Sequence, residues 1–469
     1  MDLIYDIETF PNCFTCSFEM ADVDIKACFE ISEYKDESRD LYSFLIHLRD
    51  NHFRMIGFNN IAFDYPVIHY FMKSRGQAGY AGLYDKAMAI IGSQDDNRWV
   101  HHVKPSDRII QQIDLFKIHH FDNKSKITSL KMLEFVMRMD SIEELPFEVG
   151  TWLTQSQVQT LRLYNQYDVH ATKQFYFTSL DMIQFREDLT KTYNTDFMNH
   201  NDVKIGTSIF EKSLEDAGIS LYEFDGQGRT PCQTKRHQIN LSDAILPWIQ
   251  FERPELQQVL NWLRQQTITE TKGVFKDLSA RVDGFEFVFG LGGIHGSIDS
   301  EVVNSDDDYA LIDLDVASYY PNLAIGQRFY PQHLTETFCD VYRQLFEQRK
   351  KYEKGTAENA MLKLALNGTY GQSNSPFSVF YDPLFTMSIT LNGQLLLCLL
   401  AEQLLKIPAL QLVQVNTDGL TIRVRREHLD HVQELRVWWE QMTGLELEDA
   451  HYKKMFIRDC NNYIAVYDK

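Results

Sequence analysis

Asp315-Val316-Ala317-Ser318-Tyr319-Tyr320-Pro321 begins where the strand-like run Tyr309–Val316 ends, and it closes on a proline. Downstream, a basic helix-prone stretch is expected at about 341–354 and a second helix at about 358–370. Near 412–424 two apolar runs flank Asn416-Thr417-Asp418-Gly419, and Asp-Gly between such runs signals a hairpin turn. Asp315 thus ends one strand and Asp418 sits at a hairpin tip. Neighbouring strands would bring the two carboxylates together.

Upstream the signal thins. Residues 196–300 contain Pro247, Pro254 and a helix-like segment, Pro254–Gln265, before the glycine-dense run 290–296. That run is no dinucleotide fingerprint, because its third glycine falls one position late. It marks either a close backbone approach or a plain turn. The first 195 residues alternate strand-like stretches, at 3–8 and 53–58, with helical spacing at 155–180, which predicts an α/β domain.

The chain has 469 residues, enough for two to four domains, with 44% hydrophobic and 24% charged residues. No uninterrupted apolar run approaches the roughly 20 residues of a membrane span. The start, MDLIYDIETF, has acids where a signal peptide would be basic. A cytoplasmic protein without a membrane partner is expected. Seven cysteines do not make a disulfide framework, and Cys13 and Cys16 lack the second pair that a zinc site needs. The net charge of −20 argues against a general polyanion binder unless the acids cluster at metal sites.

Such clusters are visible. Asp6 and Glu8, two apart on a strand, leave the same face and would repel unless a cation lies between them. Asp64 follows another strand in Asn59-Asn60-Ile61-Ala62-Phe63-Asp64. Tyr164 and Asp168 stand at i,i+4 in Tyr164-Asn165-Gln166-Tyr167-Asp168, one helical face. Four carboxylates can hold two hard divalent ions, which would clamp the attacking water and the leaving oxygen of a phosphodiester. A tyrosine hydroxyl beside the last acid can orient that water. The trio DIET, NxxxFD and YxxxD resembles the three exonuclease motifs of proofreading DNA polymerases. The resemblance implies Asp6, Glu8, Asp64 and Asp168 as metal ligands and Tyr164 as water-positioning. Asp114, Lys124, Lys126 and Lys131 lie between the motifs; the lysines suit either a single strand or a solvated helix face.

The second half resembles family B DNA polymerases. DVASYYP at 315–321 is similar to motif A, DxxSLYP; Lys363-Leu364-Ala365-Leu366-Asn367-Gly368-Thr369-Tyr370-Gly371 to motif B, KxxxNSxYG; and Asn416-Thr417-Asp418-Gly419 to motif C, YxDTDS. The resemblance implies catalytic, metal-binding Asp315 and Asp418, with two Mg2+ per active site and Mn2+ as an alternative. Lys363, Asn367 and Tyr370 at i, i+4 and i+7 share a helix face, offering a charge for triphosphate, an amide and an aromatic platform. Tyr320 is implied beneath the incoming sugar, where its ring would exclude a 2′-hydroxyl, and Arg349 on the triphosphate. For Arg349 a solvated basic helix face, and for Tyr320 a plain core aromatic, are the alternatives.

The implied architecture is multidomain, α/β and α+β. An RNase H-like 3′→5′ exonuclease (1–195) leads through a connector (196–300) to a right-hand polymerase: palm (301–340), short fingers (341–374) and palm again (375–469). The thumb is expected to be absent or truncated, since little chain follows Tyr463. Asn416 replaces an acid and Gly419 a serine of motif C, Tyr319 a leucine of motif A, and Gly368 a serine of motif B. Asp315 to Lys363 is 48 positions and Gly371 to Asp418 is 47, which leaves no room for the insertions of protein-primed phage enzymes. A compact, bacteriophage-like enzyme is expected, acting on primer-template DNA and dNTPs. A processivity or thumb-supplying replication protein would be a further partner. The alternatives are an exonuclease whose polymerase half only binds DNA, and a non-catalytic replisome scaffold.

Overall fold

The computed structural model describes all residues except Gln94, Asp95, Asp96, Arg98, Lys124, Ser125, Gln227 and Lys469, and omits the side chains of Asp225 and Ala357. Lys124 therefore lies outside the described residues. The chain forms two compact units, Met1–Asp202 and Val203–Lys469.

The first unit is built on strands β1 (Asp2–Phe10), β2 (Cys13–Met20), β3 (Lys26–Ser32), β4 (Arg54–Gly57) and β5 (Gln111–Asp114). Their order is β3-β2-β1-β4-β5. β2 runs antiparallel to both neighbours, while β1, β4 and β5 are parallel. The period of two in β1 sorts its side chains. Leu3, Tyr5 and Ile7 join one core with α1 (Ser38–Asp50), α2 (Asp64–Lys73) and α3 (Gly79–Gly92), whereas Ile4 joins the other. Asp6 and Glu8 share the face of Ile4, which meets α5 (Gln155–Thr178). α4 (Leu130–Met137) and α6 (Leu180–Tyr193) complete this side. Thr154 caps α5 reciprocally with Gln157, fixing where that helix begins. Cys13 and Cys16, three apart on β2, enter different cores and cannot share a zinc ion.

The second unit contains α7 (Pro254–Gln265) and a nine-stranded sheet. Its strands are β6 (Ser279–Val282), β7 (Phe285–Gly290), β8 (Gly293–Ser297), β9 (Glu301–Asn304), β10 (Tyr309–Val316), β11 (Gln411–Asn416), β12 (Gly419–Arg425), β13 (Leu447–Asp459) and β14 (Asn462–Tyr467). The order is β6-β7-β8-β11-β12-β10-β13-β9, with β14 on the other side of β13. Helices α8 (Tyr319–Gln327), α9 (Thr337–Lys350), α10 (Ala357–Gln372), α11 (Pro383–Leu404) and α12 (Leu429–Thr443) accompany it.

Two expectations change here. The basic helix starts and ends four residues earlier than its charge pattern predicts, so Lys351 and Lys354 fall beyond it. α11 is long and apolar enough, by length and composition, to cross a membrane. The sequence hides this because Ser388, Thr390, Asn392, Gln394 and Glu402 interrupt the apolar run. All five are buried and bonded internally. Asn392 bridges Ala244 and Ser388 carbonyls and accepts from the Leu246 N–H, and Glu402 accepts from the Arg253 N–H at 2.6 Å. α11 is thus a core helix of this unit.

Candidate active sites

In the first unit, β1 carries Asp6 and Glu8, the start of α2 carries Asp64, and α5 carries Tyr164, Asn165 and Asp168. Oxygens of Asp6, Glu8 and Asp168 all lie within 4.8 Å of one another; no other described group of three or more such ligands does so. Asp64 stands beside them, its Oδ1 accepting the Ile7 N–H at 3.3 Å. Burial raises the Asp6 carboxyl well above the usual range, and the charges of Asp64, Glu8 and Asp168 raise it further. Glu8 is raised by burial and then by Asp168 and Asp64, and Asp64 is pushed up to about 7 by burial. A set of acids that repel at this range is suited to hard divalent cations, whose charge would reverse those shifts. The Tyr164 hydroxyl lies by Asp168, its pKa raised by burial and then by that charge.

Three neighbours were not assigned from sequence. Lys131 on α4 donates to Asp168 Oδ1 at 2.5 Å and to buried Glu134 at 3.2 Å, with its ammonium 4.8 Å from the Tyr164 ring centre. Asn165, fully buried, donates its amide to Asp6 Oδ2 at 2.7 Å and accepts from Thr15 at 3.3 Å. Asp114 is structural: its carboxylate accepts the N–H groups of Asn59, Ile61 and Phe116, which shapes the loop before Asp64. Burial pushes Asp114 up to about 6. No local pattern marks Lys131 or Asn165, because the acid of the cluster that each one binds lies at least 37 positions away.

In the second unit, β10 pairs with β12 so that Asp315 faces Gly419, and with β13 so that Asp315 faces Glu448. The Val316 N–H donates to the Asp418 carbonyl at 2.8 Å, tying the two acids' backbones side by side. The hairpin turn is Thr417-Asp418, with Asn416 opposite Gly419, so Asp418 sits at the tip as its sequence indicates. Thr417 takes the left-handed conformation, φ 55°. Gly419 is needed for space: a Cβ there would lie 1.8 Å from Asp315 Oδ1. Asp315 is pushed up to about 7 by partial desolvation and by the charges of Asp313, Asp418 and Glu448. Asp418 is raised by desolvation and Asp313. These acids also suit divalent ions, though among described residues they do not converge as tightly as the first set.

The glycine-dense run is both a turn and a close approach. β7 and β8 meet across Leu291-Gly292, and a Cβ on Gly293 would come within 3.0 Å of Thr417 Cα. Tyr320 donates its hydroxyl to the Gly292 carbonyl at 3.0 Å, and its ring centre is 4.4 Å from that of Tyr370. Lys363 and Asn367 are exposed on the α10 face that Tyr370 shares. Arg349, on α9, is half-buried, its Nε sealed from solvent without an acceptor.

The whole chain is similar to the family B DNA polymerase of the hyperthermophilic archaeon Pyrobaculum calidifontis: TM-score 0.51, 14% identity, 99% of this chain and 58% of that one. The fold is family B DNA polymerase-like. At that identity the likeness is one of fold, and the chain spans little more than half the length of the archaeal enzyme. No protein-family profile matches the sequence, and no curated protein does. Within this polymerase-like fold, Asp315, Asp418 and Gly419 form one local assembly.

Proposed function

We propose that the chain is a template-directed DNA polymerase that adds dNMPs to a primer 3′ end and proofreads with a 3′→5′ exonuclease. The observation that carries this reading is the strand register that sets Asp315 beside Asp418, with the Tyr320 and Tyr370 rings in tilted contact in the same unit. The first unit is assigned as the RNase H-like exonuclease, supported by its mixed sheet with acids on β1. Residues 301–340 and 375–469 are assigned as palm, and 341–374 as fingers. The short intervals between motifs support a compact, bacteriophage-like enzyme.

Asp315 and Asp418 would hold one pair of Mg2+ or Mn2+ ions, and Asp6, Glu8, Asp64 and Asp168 another. Such ions supply Lewis-acid stabilisation of the attacking and leaving oxygens at phosphorus. The protein's own residues position the substrates. Lys363 and Arg349 neutralise the dNTP triphosphate, Asn367 offers an amide, and Tyr370 backs the nascent base pair. Tyr320, held by Gly292 and Tyr370, closes the space that a 2′-hydroxyl would need. In the exonuclease, Tyr164 orients the attacking water and Asn165 fixes the rotamer of Asp6.

A labelled primer on a longer template, incubated with Mg2+ with and without dNTPs, tests this. Extension with dNTPs and 3′ shortening without them are expected. Shortening in both lanes would favour an exonuclease whose second unit only holds DNA, a reading supported by the tighter convergence of the first acid set. Metal-independent binding with no conversion would mark a replisome scaffold.

A further inference from the structure

In the first unit a cleft of about 580 Å³ opens between the starts of β4 and β5, helix α6 and residues 105–109. Arg54 and Gln111 begin their parallel strands here, whereas Asp64 follows the far end of β4 and Asp114 ends β5. The cleft is therefore at the opposite end of the sheet from the acid cluster.

Its charges are unevenly committed. Arg54 is saturated: both Asp2 oxygens accept from it at 2.6 Å, and Glu187 accepts at 2.5 Å. Arg108 has no such partner. No described carboxylate lies within ion-pair distance of its guanidinium, and its Nε is sealed from solvent without an acceptor. That leaves the terminal nitrogens as the part open to solvent, in a residue lining the cleft. Asp196, on the same lining, attracts Arg108 from beyond ion-pair distance and accepts the Met198 N–H at 2.9 Å. Lys191, on the same wall, has only a 3.8 Å contact to exposed Asp188. Ile109, Ile113 and Met198 supply apolar lining.

A half-buried guanidinium without an acceptor costs folding free energy, so its persistence needs another cause. Arginine's planar fork suits a phosphate, and a cleft of this size accommodates an organic body as well as the ion. We propose that this cleft binds the phosphate of a small phosphomonoester, of nucleoside monophosphate size, through Arg108 with Lys191 in support. The site does not depend on the polymerase or exonuclease reading.

Calorimetric titration of the full chain in EDTA would use dAMP, inorganic phosphate and deoxyadenosine as probes at constant ionic strength. Saturable dAMP binding is expected, unchanged in the Asp6→Ala/Glu8→Ala double variant. Phosphate should compete at higher concentration and deoxyadenosine should bind at least tenfold more weakly than dAMP. R108M should weaken dAMP at least tenfold, the equivalent of one charge-assisted contact. K191M should weaken it less. Ligand-free R108M should melt no lower than the parent, since no intramolecular bond is lost. No saturable dAMP binding, equal binding by R108M, or a lower melting temperature for R108M would each overturn the proposal. Binding of phosphate alone, with dAMP excluded, would reject the nucleotide-sized ligand.

Discussion

Asp64→Asn should make the metal-free protein more stable while weakening its response to Mg2+. The buried Asp64 carboxyl is pushed up to about 7, against an ordinary value of 3.8. The native state therefore holds a proton that the unfolded chain has released, so stability falls as pH rises through that window. At about 1.36 kcal/mol per pH unit, the raised carboxyl costs about 2 kcal/mol at pH 5 and about 4 kcal/mol at pH 8. Below pH 4 the cost vanishes, and above pH 7 it is constant. Asparagine keeps an acceptor oxygen for the Ile7 N–H and carries no charge. For a unit of this size, about 2–4 °C accompanies each kcal/mol, giving a rise of ~8–16 °C at pH 8 as an upper bound. Thermal melts by circular dichroism in EDTA at pH 5 and pH 8 would measure it. Added Mg2+ should then raise the parent more than the variant and narrow the gap. A variant that melts at or below the parent at pH 8, or a gap equal at both pH values, would refute an uncompensated acid cluster.

Asp315→Ala should lower primer extension by about a thousandfold, the loss of several kcal/mol of metal-borne stabilisation, and leave 3′ shortening intact. Synthesis that survives in a gel assay would remove Asp315 from the site. Tyr320→Ala should raise ribonucleotide incorporation about tenfold, as expected when ~1.4 kcal/mol of steric discrimination is lost. Unchanged sugar selection would make Tyr320 a core aromatic. Asn165→Ala frees Asp6 to rotate, and the Mg2+ concentration for half-maximal 3′ shortening should rise about tenfold, as for other ligand-orienting partners. An unchanged metal requirement with reduced thermal stability would assign Asn165 to packing alone.

Much of the local structure was legible because it obeys short-range periodicities. Asp6 and Glu8 share a face since strands alternate, and Tyr164 and Asp168 share one since helices turn in 3.6 residues. The helix Pro254–Gln265 begins and ends where its proline and apolar spacing indicate. The misses are places where tertiary contacts outweigh local rules. The hairpin falls where the apolar runs flanking 416–419 indicate, but that Gly419 stands opposite Asp315, where a Cβ would clash, follows only from the strand pairing. α11 looks too polar for a long apolar helix until its amides and hydroxyls find partners inside the unit. For Lys131 the sequence leaves a single-strand contact and a solvated helix face equally open, because nothing nearby in sequence shows that its ammonium reaches Asp168.

Asn416 is the departure that bears most directly on the polymerase reading, because it removes a charge from the motif C pattern. The surroundings of Asp315 change its weight. Asp313 lies two residues before Asp315 on β10, fixed by the hydroxyls of Thr421 at 2.5 Å and Tyr452 at 3.0 Å. Glu448 is the cross-strand partner of Asp315 on β13 and is exposed. Asp313, Asp418 and Glu448 all raise the Asp315 carboxyl. Three carboxylates thus bear on Asp315 without position 416, and a further acid there would add repulsion that a cation must offset. Asn416 instead pairs with His295 and Gly419 in the sheet, and its side-chain oxygen accepts from Thr417 at 3.3 Å. The substitution therefore removes a charge where three others already surround Asp315, and it keeps an oxygen on the turn that carries Asp418.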